Sequence, residues 1–302
     1  MPVLLGMLRS LLRARTPASG EPSTPKPDRV RYSFVTCSVD DARFARVSAS
    51  LAACMQGERW ELIRILDARS LAEGYNRGLA QSRGQYIIFC HDDIEFLQPD
   101  VGARLQAHFA VHEVLGVAGT TCLKDSHWIS AGTPSIHGQV LQPAGRDGDG
   151  SGYVLNVFCQ HGGGVPAAPV QAVDGLFIAA RRDVAEALGF DEAVFDGFHL
   201  YDLDFSYRAF LRGFRVGICH DLLIYHQSHG DKGEAWRQHA LRFEEKHAAQ
   251  LAAHGSAAAG PPQVYQVSVT DRAQGLAAFE GVLRGEVVFR QAEPAGGSGA
   301  PC

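Results

Sequence analysis

Several features that would place this sequence at once are missing. Its seven cysteines are an odd number, widely spaced, and no two form a Cys-x-x-Cys pair. That usage argues against a disulfide framework or a structural zinc site, and for a reducing, cytoplasmic compartment. No apolar run approaches the roughly 20 residues of a bilayer-crossing helix. There is no long basic run, and the formal net charge is −5, so nucleic acid is not an expected partner. No Gly-x-Gly-x-x-Gly follows the first expected strand, and no Gly-Lys-Ser/Thr loop occurs. The usual backbone cradles for a dinucleotide or an ATP phosphate are therefore absent. Gly162-Gly163-Gly164 is a flexible loop with no phosphate role. What is present is ordinary in bulk: 302 residues, 46% hydrophobic and 20% charged, enough to bury a large core.

Residues 1–30 form a segment of their own. Val3, Leu4, Met7, Leu8, Leu11 and Leu12 recur at helical spacing beside Arg9, Arg13 and Arg15. Residues 1–15 fit a helix in a membrane interface, giving peripheral contact at the inner face, and fit equally a helix docked on the body or a partner, or a flexible start. Composition leaves an organellar transit peptide open, whereas Arg9 breaks the apolar core a secretory signal requires. Residues 16–27 are a linker rich in Pro, Ser, Gly and Thr.

The body, residues 31–247, alternates strand and helix. Residues 32–39, 62–66 and 86–90 read as strands, and 43–56 and 71–82 as amphipathic helices. A helix follows Pro99. This order predicts an α/β fold with a mixed, mostly parallel sheet. Each of the three strands ends in acid: Asp40, Asp67, then His91-Asp92-Asp93. Open α/β sheets bind ligands at that edge, and carboxylate with imidazole is a donor set for a divalent cation. The plain alternative is that these aspartates make turns and caps.

In the second half, residues 173–180 read as one strand entered through Asp174-Gly175, and Gly189-Phe190-Asp191-Glu192 leads toward Tyr201-Asp202-Leu203-Asp204. A helix starts there, with Asp202 placed as cap or general base and Asp204-Arg208 as a surface i,i+4 pair. Residues 215–219 and 222–225 are strands leading to His226, and 236–247 is a helix. Residues 124–170 carry no legible motif. Residues 248–302 form an Ala/Gly-rich extension: a loose connection to 262, a strand at 264–269, a helix at 276–283, and a disordered end at 292–302.

Taken together, Asp67-Ala68-Arg69-Ser70, Asn76-Arg77-Gly78, His91-Asp92-Asp93, Asp174-Gly175, Gly189 to Glu192, and Tyr201-Asp202-Leu203-Asp204 with Arg208 and His226 resemble the ordered motifs of family-two inverting glycosyltransferases. The resemblance covers about residues 31–236. It departs at His91, where the first acid of Asp-x-Asp is expected, and at Tyr201, where Glu is; a branch with His-x-Asp is similar at both. The resemblance implies a GT-A fold, a Rossmann-like α/β/α sandwich that takes a nucleotide-diphosphate sugar as donor. It implies Asp67 on the nucleoside with the loop from Ser38 through Asp41, Asp40 included, and Asn76, Asp92 and Asp174 about the donor. It also implies Asp93 with His226 on Mn²⁺ or Mg²⁺, and Asp202 as base toward a glycan, lipid or protein hydroxyl. Two alternatives keep part of this pattern. One is a catalytically silent module that binds a nucleotide sugar or scaffolds an assembly; the other, a nucleotidyltransferase, lacks its Gly-rich loop here.

Overall fold

The computed structural model describes residues 30–145, 152–158, 168–230, 232–254 and 260–287. The expectations for residues 1–15, 16–27, 292–302 and Gly162-Gly163-Gly164 fall outside them. β1 (Tyr32–Cys37), α1 (Asp41–Cys54), β2 (Trp60–Ile65), α2 (Leu71–Gln81) and β3 (Tyr86–Cys90) follow the expected alternation. Residues Ile87 to Cys90 of β3 are fully buried, as an apolar run without polar alternation requires. α1 turns Val47 and Leu51 inward, and α2 starts at Ser70, whose hydroxyl accepts from Glu73 N. β1 pairs in parallel with β2 and β3, aligning Cys37 with Ile65 and Val35 with Phe89. Their carboxyl ends therefore meet at one edge.

β4 (Ile94–Phe96), α3 (Val101–Phe109), β5 (Val114–Gly116), β6 (Ala118–Thr120), β7 (Ile136–Pro143), β8 (Tyr153–Phe158), β9 (Ala172–Val173) and β10 (Phe177–Arg181) continue the chain. α4 (Arg182–Leu188), α5 (Tyr201–Leu211), β11 (Val216–Ile218), β12 (Ile224–His226), α6 (Glu234–Lys246), α7 (Ala248–His254), β13 (Val264–Val269) and α8 (Arg272–Leu283) complete it. One sheet has the order β11-β5-β10-β3-β1-β2, and only β10 runs against its neighbours. The mixed, mostly parallel α/β sheet expected is the one observed. A second sheet, β13-β8-β7-β12-β4, also takes in β6 and β9. The chain crosses from the first sheet to the second at His91-Asp92-Asp93, between β3 and β4. β12 lies beside β4 with His226 opposite Ile94.

Three expectations change. The strand expected over 173–180 is two, because Asp174-Gly175-Leu176 leaves the second sheet at β9 and enters the first at β10. Residues 124–170, which carried no motif, hold the β7-β8 antiparallel pair. The connection from 248 to 262 is not loose throughout, because Ala248–His254 is helical; the strand expected at 264–269 is observed as β13, paired with β8 along its full length. Phe279 of α8 packs with Leu141, Leu155, Val157, Leu223 and Tyr225 in a small core of its own. Among the described residues, no helix is long and apolar enough to cross a membrane.

Candidate active site

The crossing turn carries the first part of the site. Asp93 and His226 are each 8% exposed, and His226 Nε2 lies 3.3 Å from Asp93 Oδ1. His91 Nδ1 stands 3.4 Å from His226 Nε2 and 3.9 Å from Asp93 Oδ1. Gln227 N donates to Asp93 O, fixing β12 against the turn. Burial raises the Asp93 carboxyl, but the hydrogen bond and charge of His226 outweigh it, and the net direction is down. Burial, then the neighbouring His226, lowers His91, which favours a neutral imidazole with a free lone pair.

These groups fit a divalent cation. Their three ligand atoms lie within 4.8 Å of one another. With separations of 3.3, 3.4 and 3.9 Å among those atoms, bonds of about 2.0–2.6 Å from a single point reach all three. Two imidazoles and one carboxylate also form a familiar donor set for first-row metals. His91, which sequence reading placed as an unusual neighbour of the ligands, faces the cluster with them.

The second part is built where α5 meets the break between β9 and β10. Leu200, just before α5, has φ 63°, a left-handed conformation that a branched residue adopts at a cost. It aims Tyr201 and Asp202 toward Gly175. A Cβ on Gly175 would sit 2.5 Å from Tyr201 Oη and 2.9 Å from Asp202 Oδ2, so only glycine permits this approach. Desolvation, then the charge of Asp174, pushes the Asp202 carboxyl up to about 7. Asp174 accepts from Trp128 Nε1 at 2.9 Å and from Leu176 N at 3.0 Å. Tyr201 Oη lies 2.9 Å from His91 Nε2, so the two parts of the site touch.

Two cavities open on this arrangement. One, of about 320 Å³, is lined by Asp174, Asp202, Trp128, Trp236, His91 and Phe198, among others. The other, of about 350 Å³, lies over the sheet edge and includes Ser38, Asp92, Asp93, Arg43, His91 and Phe198. His91 and Phe198 belong to both. Phe198 is 54% exposed, so an aromatic face is offered where the cavities join. Sequence reading missed Phe198 and Trp128. Phe198 sits between two motifs without belonging to either, and Trp128 falls in the stretch with no motif.

The remaining expected residues divide. Ser38 and Asp92 line the cavity. Asp67 does not; it is exposed and pairs with Arg77 at 2.6 Å, though its neighbours Leu66 and Ala68 are in the wall. Asp40 caps α1, accepting from Ala42 N and Arg43 N, and lies outside the lining. Asn76 is spent elsewhere: its amide donates to Phe190 O and accepts from Phe190 N, clamping the Gly189–Glu192 segment to α2. Its hydrogen-bonding atoms are thereby drawn off from any donor.

The chain belongs to the Glycosyltransferase like family, which matches residues 33–250, and it carries the His-x-Asp form of the motif at His91 and Asp93. A search of curated proteins found no match. Similar solved structures include S. aureus TarS 1–349 in complex with UDP, at 14% identity over 75% of this chain and 70% of that one, with a TM-score of 0.44. GalNAc-T7 with UDP, GalNAc and Mn²⁺ is 11% identical over 73% and 48%, with a TM-score of 0.46. The mannosyltransferase PcManGT from Pyrobaculum calidifontis, in complex with GDP-Man and Mn²⁺, is 13% identical over 78% and 67%, with a TM-score of 0.43.

Proposed function

We propose that the protein moves a sugar from a nucleotide-diphosphate sugar to an acceptor hydroxyl, with inversion at the anomeric carbon. The observation that carries this reading is Asp202, a carboxyl pushed up to about 7 in a cavity that shares His91 and Phe198 with the cleft beside Asp93. A carboxylate of that basicity suits removal of a hydroxyl proton near neutral pH, a contribution of about 10²–10⁴ in rate. The acceptor, a hydroxyl of a glycan, lipid or protein, enters the Trp128 and Trp236 cavity and gives its proton to Asp202. Ser38 and Asp92 hold the donor in the other cavity, with Asp67 at its rim. Asp174 keeps lone pairs for sugar hydroxyls beside those it gives to Trp128 and Leu176. His91, Asp93 and His226 hold Mn²⁺ or Mg²⁺, which when bound neutralises charge on the leaving nucleoside diphosphate. Asp40 and Asn76 take no part, because their side chains are used locally.

The test is Asp202→Asn. The variant should fold and bind donor by calorimetry while losing transfer by about 10² or more. Undiminished turnover would remove Asp202 from the mechanism. Donor binding by the unaltered protein without transfer, across a panel of acceptors, would favour the silent binding module instead.

A further inference from the structure

The two places where this sequence leaves the glycosyltransferase pattern, His91 and Tyr201, lie 110 positions apart and are in direct contact: Tyr201 Oη is 2.9 Å from His91 Nε2. The phenol has a single proton, and Gly175 O stands 3.3 Å away to accept it. With that proton placed, Oη has lone pairs left to accept from His91 Nε2–H. An imidazole that donates from Nε2 is unprotonated at Nδ1, and Nδ1 is the atom aimed at Asp93 and His226. The Tyr201 ring is itself held in place. It is 3% exposed and packs edge-on against Tyr75 with centroids 5.6 Å apart. His91 N donates to Leu176 O, so the imidazole's backbone is tied to the same crossover.

We propose that Tyr201 is a positioning residue: by accepting from Nε2–H it fixes His91 in the tautomer that presents Nδ1 to a divalent cation. This rests on the reading of His91, Asp93 and His226 as a cation site. The other nitrogen of a metal-binding imidazole is ordinarily held by a carboxylate, a carbonyl or a water. Here a phenol takes that place. A carboxylate at 91 would need no such partner, because either of its oxygens can ligate without a tautomer being chosen. The two departures therefore act as one device, and they tie the cation cluster to the first turn of α5, which carries Asp202.

The experiment uses the full chain with Mn²⁺ alone as probe. In the metal-free protein, long-range ¹H–¹⁵N correlation spectra should show His91 protonated at Nε2. Tyr201→Phe keeps the ring and removes the hydroxyl; it should lose that preference and bind Mn²⁺ at least about ten-fold more weakly by electron paramagnetic resonance titration. His91 protonated at Nδ1 in the unaltered protein overturns the proposal, without any variant having to fold. Unchanged Mn²⁺ affinity in a folded Tyr201→Phe overturns it as well. Failure of the unaltered protein to bind Mn²⁺ is a separate result: it overturns the cation reading itself, and the purpose given to Tyr201 with it.

Discussion

As the proposed base, Asp202 would set both a rate and a stability. Its carboxyl is pushed from 3.8 to about 7, first by desolvation and then by the Asp174 charge. A base must be deprotonated to act, so kcat/KM should fall below a pH of about 7. Asp174→Asn removes the neighbouring charge while leaving an oxygen for Leu176 N, and the acid limb should move to lower pH; an unmoved limb would assign it to another group. The sign for stability is the opposite of the usual one for aspartate. The folded state holds this proton more tightly than the unfolded chain, so stability drops as pH rises from about 4 through 7. Thermal melts of Asp202→Asn should therefore lie above those of the unaltered protein at pH 8 and coincide with them at pH 4. The cation cluster carries a second residue-scale prediction. With two imidazoles and one carboxylate facing it, calorimetry should show Mn²⁺ binding more tightly than Mg²⁺, which favours all-oxygen ligands. Asp93→Ala should abolish that binding.

Among the elements, the crossover at Asp174-Gly175-Leu176 matters most, because it lets α5 approach the cation cluster. Gly175→Ala would drive a methyl into Tyr201 Oη and Asp202. Transfer should fall well below that of the unaltered protein while donor binding, proposed for the other cavity, holds in calorimetry. Equal losses of both would mean that the two cavities move as one. The crossover also shows what a sequence hides. Residues 173–180 are nearly all apolar, and a buried run looks the same whether it stays in one sheet or passes between two. The Asp-Gly pair marked a turn but not its destination. β1, α1, β2, α2 and β3 were legible because their periods are strong, and the span of β3 was read residue for residue. β7 was not, since Gly138 and Gln139 interrupt its apolar pattern. Gln139 is buried all the same, because its amide donates to Cys219 O and Leu222 O. A partner so distant in sequence leaves no local trace. The acids at the sheet edge were legible as a group, but the division between Asp92, which lines a cavity, and Asp40, which caps a helix, depends on side-chain direction.

At the scale of the molecule, α6 holds both walls of the cavity that contains Asp202. Glu244 accepts from Ser126 N and Oγ, which steadies the segment before Trp128. His239 Nε2 and Arg242 Nη1 reach Asp196, which steadies the segment carrying Phe198. α6 is joined to α5 through Asp204. That carboxylate is not the surface partner of Arg208 expected from the i,i+4 spacing; it is 0% exposed and also meets Lys246 Nζ at 2.6 Å and His247 Nε2 at 2.8 Å. Arg208 continues to Leu188 O and Gly189 O at the end of α4, so one buried acid ties three helices together. Burial raises the Asp204 carboxyl, but His247, Arg208 and Lys246 together lower it further. Its contribution is therefore complete above the ordinary carboxylate range and is lost as pH falls through the depressed value. Removing the acid takes from Arg208 and His247 the carboxylate they share, while Lys246 keeps Asp191 at 2.7 Å, so the cost falls toward the lower end of that for breaking a buried pair, about 3 kcal/mol. Asp204→Ala should lower the urea midpoint at pH 7 accordingly. The gap from the unaltered protein should narrow as the pH is taken down. A gap that stayed constant with pH would mean that Asp204 acts through packing rather than charge, and that α5 and α6 are held together by their apolar faces.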